Sequence, residues 1–296
     1  MTTNSLKKAG PAPVSRSGRR TSPVRTALLL LAAVVLCAVF ILPALWMLLG
    51  SFRPSAQILS SLSPLSWHSL FPESFSWDNY SSLLLGRGFG RSLVNSAIVC
   101  LASVAIGLVM SLMAAYALAV LEFRGRGIAF AFVIVGFMVP FEAVAIPLSD
   151  LFTQWGLANT YLGLILPGIG NGLAIFNLRQ FFLGIPKSYR EAAMLDGASE
   201  PRILLGIYAP ISVPALINTS LLIFLGQWSS YLWPLLLVSK TDMQVAPVAL
   251  ANTFGEHGVD YGQNFAGAIL LSLVPAMMML ILQRFFASGA SSSGEK

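Results

Sequence analysis

The stretch Tyr189–Leu216, YREAAMLDGASEPRILLGIYAPISVPAL, is a short polar segment in a very apolar chain, and it predicts two helices joined by a sharp turn. Pro186 suits the first turn of a helix, where its missing N–H costs nothing, and no helix-breaking residue follows before Leu195. Gly197 permits the left-handed backbone that commonly ends a helix. Ser199 is then expected to cap the second helix.

The side that this bent element exposes is predicted to bind a protein partner. It combines charges with small residues that let another backbone approach closely, and it adds apolar contact. The charged residues are Arg190, Glu191 and Arg202, the small ones are Ala192 and Ala193, and the apolar ones are Met194 and Leu195.

The stretch resembles the EAA loop of bacterial ABC importer permeases. The match comprises Glu191-Ala192-Ala193, Asp196-Gly197-Ala198-Ser199 after two residues, then Ile207 and Pro210. The family usually has Leu where this chain has Ala209, and we expect this change to alter packing but not docking. In the family the loop is a cytoplasmic coupling helix that docks into a cleft of an ATPase subunit. The alternative is an ordinary connecting loop with a chance EAA triplet. The resemblance assigns ATPase coupling to Glu191, Ala192, Ala193, Met194, Leu195, Asp196, Gly197 and Ala198.

The composition predicts an integral membrane protein. Hydrophobic residues make up 56% of the chain and charged residues 10%, and the mean hydropathy is +0.76, far from the averages of soluble proteins. The net charge of +6 lies mainly in the N-terminal tail and in loops between apolar runs, where positive charge fixes membrane orientation. Membrane lipid is therefore the expected surrounding, and no nucleic-acid partner is predicted.

The cysteines and histidines predict no metal site. Cys37 and Cys100 lie in apolar runs, so they are expected to be inert core thiols without a disulfide. His257 shares the chain with only one other histidine, His68, at no ligand-like spacing, and is expected to be a solvated loop residue.

Six apolar runs are long enough to cross a bilayer. The first is expected to be an uncleaved span, because it is too long for the apolar core of a signal peptide. Fourteen of the 18 Lys and Arg residues fall on the side of the two termini and of loop 185–210, which is therefore predicted to be the cytoplasm. The runs are Thr26–Gly50, Ser92–Leu121, about Gly127–Ser149, Leu162–Leu178, Ile211–Val238 and about Phe265–Gln283.

The predicted fold is an all-α integral membrane protein with six transmembrane helices and a cytoplasmic helix-turn-helix coupling loop. Residues 1–25 are expected to form a disordered basic cytoplasmic tail, because their composition cannot bury enough apolar surface to offset the ordering entropy. Residues 26–286 form the permease domain, with the coupling loop at 185–210, and residues 287–296 a flexible cytoplasmic tail. The resemblance implies the bacterial inner membrane, with both termini cytoplasmic.

Three polar residues within apolar runs are candidates for a substrate pathway. The third run is broken by Pro140, Glu142 and Pro147, and the helix rise puts Glu142 about 20 Å from the cytoplasmic end. This carboxylate either borders a translocation cavity or reaches the outer headgroups. Asn218 and Gln227 in the fifth run either line the pathway or form hydrogen bonds between helices, and the second alternative is slightly favoured.

No motif predicts that the chain hydrolyses ATP or catalyses another reaction. The glycine-rich stretch Gly168–Gly172 lacks the Lys-Ser/Thr ending of a phosphate-binding loop, and no nucleophile, base and orienting group stand together. The chain is therefore predicted to be a transport subunit and not an enzyme, with no cofactor of its own. The resemblance places ATP and Mg on a partner ATPase.

Other stretches resemble the sugar-transport branch of the same family, and most of all its maltose-type permease subunit. They are Ala114–Leu118, Phe123–Arg126, Phe176–Phe182 and Trp228–Leu235, where Ser229 replaces the usual Asn. The resemblance implies import of a sugar or oligosaccharide by alternating access. The implied partners are a second permease subunit, expected to be a different chain, an ATPase dimer and an extracytoplasmic solute-binding protein.

Three alternatives stay open at this point. The first is a permease for a non-sugar solute, which would share the loop. The second is a secondary transporter, which requires internal repeats that are not evident in the sequence. The third is a membrane scaffold, which would use the loop only to bind a partner.

Overall fold

The structure, a computed structural model, describes residues 23–60, 74–254 and 260–291, with every side chain in these ranges except those of 59 and 284–291. The predictions for most of the N-terminal tail, for His68 and His257 and for residues 292–296 lie outside the described residues.

All regular structure in the described residues is helical, so the all-α prediction is confirmed. In the described ranges, two π-helical turns, Ser82–Gly86 and Leu204–Tyr208, and one 3-10 turn, Thr241–Met243, accompany the α-helices. The α-helices are α1 Pro23–Gly50, α2 Ser55–Ser60, α3 Asp78–Ser81, α4 Phe89–Ala119, α5 Arg126–Met138, α6 Phe141–Gln154, α7 Tyr161–Ile169, α8 Gly172–Leu183, α9 Ser188–Leu195, α10 Glu200–Ile203, α11 Ala209–Ile211, α12 Val213–Trp228, α13 Leu232–Leu237, α14 Ala246–Asn252 and α15 Tyr261–Ser291.

The described helices supply six membrane spans when each sharply bent pair counts as one. Four segments are long and apolar enough by themselves: α1, α4, α7 with α8, and α15 up to Gln283. The pair α5 and α6 is bent by 93°, and Glu200–Ile211 is bent by 87° against α12. The number of spans therefore agrees with the prediction.

The predicted limits of both tails differ from the helices. Helix α1 already includes residues 23–25, and α15 continues to Ser291, so residues 287–291 are helical. The flexibility of this tail stays a prediction. Proline is tolerated in a first helical turn, and residues 287–291 contain no proline. Neither stretch therefore holds a residue that stops a helix.

The third span is broken, as predicted for the run Gly127–Ser149: α5 ends at Met138 and α6 begins at Phe141. Val139 has an extended backbone, at φ −71° and ψ 121°, because the proline that follows disfavours the helical conformation. Pro147, also predicted to break the span, lies inside α6. The single break at Pro140 turns α6 away from α5 and starts a new helix with Glu142 in its first turn.

The fifth span is shorter than the predicted Ile211–Val238. Helix α12 ends at Trp228, and α13 is a separate short helix. Trp233 of α13 is buried against Phe152 of α6, with ring centroids 5.1 Å apart. The extra length of the run thus contains the separate short helix α13.

Helix α4 is the centre of the helical packing, because it contacts α7, α8, α12 and α14. A stripe of small residues at every fourth position, Ser103, Gly107, Ser111 and Ala115, lets its neighbours approach. A Cβ added at Gly107 would lie 3.4 Å from the Cα of Ile169 in α7. The backbone of α7 thus lies within van der Waals reach of this stripe.

Two apolar clusters lie at different levels of α4, one near its last residues and one around Val99. At one end Leu112 and Tyr116 pack with Leu178, Phe182 and Tyr208. We call this the elbow end. At the other, the cavity end, the buried residues are Val99, Phe152, Leu164, Trp233, Leu237, Val238, Val245 and Val248.

The two cysteines have different surroundings. Cys100 is buried, but Cys37 is exposed on α1. The prediction that both are core thiols is therefore wrong for Cys37, because an apolar residue of a membrane span can face lipid instead of a core.

Candidate functional site

The stretch that opened the sequence analysis folds as predicted into a helix, a turn and a second helix. Gly197 has φ +80°, the left-handed conformation that ends α9. Its N–H donates to the carbonyl of Met194 at 3.0 Å, and the N–H of Ala198 donates to the carbonyl of Ala193 at 2.9 Å. These two bonds satisfy carbonyls at the end of the helix. We call residues 188–203 the elbow.

Ser199 begins the second helix with its backbone but not with its side chain. Its carbonyl accepts from the N–H of Ile203 at 3.0 Å, and its hydroxyl makes no capping hydrogen bond. A capping hydroxyl needs an N–H two or three residues ahead, and Pro201 removes one of these two donors. The predicted side-chain cap is therefore wrong.

A part-buried hydrogen bond fastens the elbow to α4, and an ion pair within the elbow holds the same carboxylate. The hydroxyl of Tyr116 donates to Oε2 of Glu200 at 2.6 Å, and Arg190 pairs with Oε1 of the same carboxylate. Nε of Arg190 also donates to Oε2 at 3.3 Å. The hydrogen bond to Glu200 raises the pKa of Arg190 above its ordinary value. One carboxylate therefore ties α9, α10 and α4 together.

This arrangement corrects the prediction that Arg190 belongs to a partner-binding surface. Only 24% of its side chain is exposed, and its guanidinium is directed at Glu200 within the same chain. Arg202, predicted to have the same role, is exposed on α10. Arg190 therefore anchors the elbow within the chain, whereas Arg202 stays exposed.

Aromatic packing holds the base of the elbow. Tyr116, Phe182 and Tyr208 meet edge to face, with ring centroids 5.1 to 6.4 Å apart. Such pairs contribute about 0.5–1.5 kcal/mol beyond burial. Ile203 of α10 is fully buried in the same cluster. The elbow is therefore packed directly against the last residues of α4 and α8.

The outer side of the elbow presents unpaired groups. Leu195 is 90% exposed and Met194 is 50% exposed. Within the described residues, the carboxylates of Glu191 and Asp196 form neither a hydrogen bond nor an ion pair. Exposed large apolar side chains beside polar ones are typical of a protein-binding surface. We call this the docking face, formed by Tyr189, Glu191, Ala192, Met194, Leu195 and Asp196. Of the other predicted coupling residues, Gly197 is exposed at the turn, and Ala193 and Ala198 are half-buried.

A cavity of about 570 Å³ opens toward the cavity end of α4, and two of the three predicted pathway residues line it. Glu142 comes from the first turn of α6, and Gln227 from the last turn of α12. The lining consists of Phe141, Glu142, Leu164, Pro167, Gly168, Asn171, Ile223, Gly226, Gln227, Ser229, Ser230, Tyr231, Leu232 and Trp233.

Gln227 both lines the cavity and connects helices. Its Nε2 donates to the hydroxyl of Ser103 in α4 at 2.8 Å. Its amide also packs against Gly168 of α7, in the space that a Cβ there would need. The two roles considered for this residue are therefore not exclusive.

Asn218 lies away from the cavity. It is half-buried on α12, nine residues before Gln227, which is about 13 Å along the helix axis. Its neighbour Thr219 accepts a hydrogen bond from Asn177 of α8 at 2.7 Å. The structure thus brings Glu142 and Gln227 together and leaves Asn218 outside the lining.

Glu142 is exposed to the cavity and unpaired. Its carboxylate forms no hydrogen bond or ion pair with any residue in the described part of the chain. The first turn of a helix is a favourable place for a negative charge. A carboxylate in an apolar span nevertheless needs water or a partner, and the cavity provides access to one.

Sequence reasoning missed a polar network that fixes the loop above the cavity end. The amide of Asn95 in α4 donates to the carbonyls of Asp242 and Gln244 at 2.9 Å each, and it accepts from the hydroxyl of Tyr161 at 2.7 Å. Ser96 accepts from the N–H of Ala246 at 2.8 Å. In the sequence, this network is indicated by two polar residues, Asn95 and Ser96, near the start of the apolar run Ser92–Leu121.

Comparisons with known proteins agree on one family. Residues 91–291 match the model of the family described as binding-protein-dependent transport system inner membrane component. The arabinooligosaccharides transport system permease protein of Halalkalibacterium halodurans is 32% identical over 283 residues, covering 94% of this chain and 99% of the relative. The trehalose transport system permease protein of Mycobacterium tuberculosis is 32% identical over 260 residues, covering 86% and 92%.

A solved structure has the same fold. A chain in the crystal structure of a bacterial ABC transporter that imports the acidic polysaccharide alginate matches with a TM-score of 0.70. The match covers 93% of this chain and 99% of that one, at 23% identity.

Proposed function

The chain belongs to the family of binding-protein-dependent transport system inner membrane components, and from this premise we propose that it is a permease subunit of an ABC importer for sugars or oligosaccharides. It is a multi-pass inner membrane protein. The relatives in Halalkalibacterium halodurans and Mycobacterium tuberculosis are named for arabinooligosaccharides and trehalose, which supports a saccharide as the substrate.

The observation that carries the proposal is the anchored elbow with its exposed docking face. The proposal gives the docking face the role of binding an ATPase subunit through Glu191, Ala192, Met194, Leu195 and Asp196. ATP and Mg are then bound by that partner, and this chain catalyses no step itself. The excess of Lys and Arg on the side of the elbow supports a cytoplasmic position for the elbow and both termini.

The cavity is the part of the translocation pathway that this chain provides. It opens beside bent helices that meet at α4, and its half-open shape leaves room for a second permease subunit to complete it. A solute-binding protein on the opposite side of the membrane from the elbow delivers the sugar.

The mechanism that follows is alternating access. Closure of the ATPase dimer moves the elbow, and the bond from Tyr116 to Glu200 passes this movement to α4. Because α4 contacts α7 and α12, its displacement changes the cavity at its other end. Such coupling requires two arrangements of the spans with similar free energies.

Uptake into proteoliposomes tests the proposal. The chain is purified with its associated subunits, reconstituted, and supplied with the binding protein and radiolabelled arabinotriose or trehalose. Accumulation that requires ATP on the elbow side supports the importer. Accumulation driven by an ion gradient without ATP would instead identify a secondary transporter, and binding of partners without any flux would identify a scaffold.

A further inference from the structure

The cavity lining has an unusual balance of charge. Its fourteen residues, all in the described part of the chain, include one carboxylate, Glu142, and no Lys, Arg or His. Building on the proposed function of the chain as a sugar permease, we propose that this cavity admits hydroxyl-rich saccharides without anionic groups and rejects those that carry uronic acids or phosphates.

The first argument is electrostatic. Glu142 has no cationic partner in the described residues, and apolar side chains such as Leu164 and Ile223 line the same cavity. Low-dielectric walls strengthen the repulsion between two negative charges well above its value in water. An anionic sugar entering the cavity would meet this repulsion, and the lining holds no positive side chain to offset it.

The second argument concerns hydrogen bonding. The carboxylate of Glu142 accepts only, and the Nε2 of Gln227 is already used on Ser103, which leaves its Oε1 as a further acceptor. Sugar hydroxyls are donors and suit these acceptors. Ionised carboxylate and phosphate groups only accept, so they form no hydrogen bond with these acceptors. The hydroxyls of Ser229, Ser230 and Tyr231 in the same lining both donate and accept, so they also suit sugar hydroxyls. The rejection of anionic saccharides therefore rests on charge.

The third argument is the aromatic surface beside Glu142. Phe141 is 37% exposed and packs edge to face on Trp233 at 5.8 Å, and the indole of Trp233 is buried and donates to the carbonyl of Gly163 at 3.1 Å. The ring of Phe141 is thus held in place. Its apolar face fits the C–H surface of an uncharged sugar ring.

Charged thiol reagents test this lining without the binding protein, whose own selection would otherwise hide it. The complete transporter carries Cys37→Ser and Ser229→Cys, the latter at an exposed position of the lining, while Cys100 stays buried. The probes are a sulfonate-bearing and a trimethylammonium-bearing methanethiosulfonate of similar size. The ratio of the anionic to the cationic modification rate at position 229 is measured. It is compared with the same ratio for the reaction of the two reagents with 2-mercaptoethanol in solution.

We expect the ratio of anionic to cationic modification to be at least about tenfold lower in the cavity than in solution. Adding Glu142→Gln should raise it at least about threefold, whereas Asp150→Asn, an exposed acid on the same helix but outside the lining, should leave it unchanged. A ratio equal to that in solution, or one insensitive to Glu142→Gln, would overturn the proposal.

The uptake assay keeps this inference separate from the function on which it rests. If no saccharide is accumulated while the labelling ratio changes as expected, the proposed function fails and the charge selectivity of the lining stands. If arabinotriose is accumulated but the ratio is that of free solution, the importer stands and the charge selectivity fails.

Discussion

Two carboxylates, Glu200 and Glu142, have opposite surroundings although their local positions are alike. Each lies in the first turn of a helix beside a proline. Glu200 is held by Arg190 and Tyr116, whereas Glu142 has no partner in the described residues. The comparison indicates that the first charge serves the fold and the second is available to a ligand.

The other groups near the two carboxylates differ in the same way. At the elbow, the carboxylate of Glu200 is paired, and the unpaired carboxylates of Glu191 and Asp196 are exposed on the docking face. At the cavity, the unpaired carboxylate of Glu142 is exposed to an open space of about 570 Å³. An anchored charge and an unpaired charge therefore lie in different parts of the molecule.

The largest effect is expected from removing the turn that shapes the elbow. Gly197→Val places a β-branched residue at φ +80°, a strain of about 1–3 kcal/mol, and should lower ATP-dependent sugar uptake at least about tenfold while ATP hydrolysis continues. Gly206→Val is the matched control, because an added Cβ there meets no atom within 4 Å and φ is ordinary. Normal uptake by Gly197→Val at normal expression would contradict the role of the turn.

Neutralising each carboxylate in turn tests the comparison itself. Glu200→Gln removes a charged partner from Arg190 and Tyr116 and should cost about 1–3 kcal/mol, seen as a lower melting temperature in detergent. Glu142→Gln breaks no bond within the described chain and should leave the melting temperature within about one degree of wild type. Equal destabilisation by both variants would show that the two carboxylates are not used differently.

A smaller effect is expected from the hydroxyl that connects the elbow to α4. Tyr116→Phe loses the 2.6 Å hydrogen bond to Glu200 and should cost about 1 kcal/mol, with more ATP hydrolysed per sugar transported. Tyr208→Phe keeps the edge-to-face packing and removes a hydroxyl that makes no hydrogen bond in the described residues, so its coupling ratio should be that of wild type. An unchanged ratio in Tyr116→Phe would mean that movement reaches α4 by another contact.

The smallest effect concerns the cavity end. Gly168→Ala should push the amide of Gln227 away from Ser103 and raise the KM for sugar uptake about threefold. Gly226 lines the same cavity, but the Cβ that Gly226→Ala adds meets no atom within 4 Å. The KM for sugar uptake should therefore stay unchanged in this variant. If the two variants behave alike, the position of Gln227 does not matter for uptake.

The elbow was predictable because its residues are contiguous. The helix limits, the left-handed Gly197 and the bend follow from local backbone rules. The role of Arg190 was not predictable, since the tyrosine that completes its network is Tyr116, 84 residues from Glu200. Sequence reasoning assigned Arg190 to a partner because a lone charge in a polar segment gives no sign of a distant bond.

The cavity was only partly predictable. In the sequence, Pro140 marked the break in the third span, and Glu142 stood out as a charge in an apolar run. The 93° bend between α5 and α6, however, also involves the packing of α6 against α13. Asn218 and Gln227 look alike in an apolar run, and only the rotation and length of α12 separate the one that lines the cavity from the one that does not. Sites assembled from distant segments need the tertiary structure.

The most direct test of the central claim, that the docking face binds an ATPase, is affinity purification of this chain from its native membrane in a mild detergent. Wild type is compared with Glu191→Arg/Gly197→Val, and the co-purifying proteins are identified. We predict a second permease with both forms and an ATPase with wild type only. Absence of an ATPase from intact wild-type preparations, or its full retention by the variant, would contradict the account.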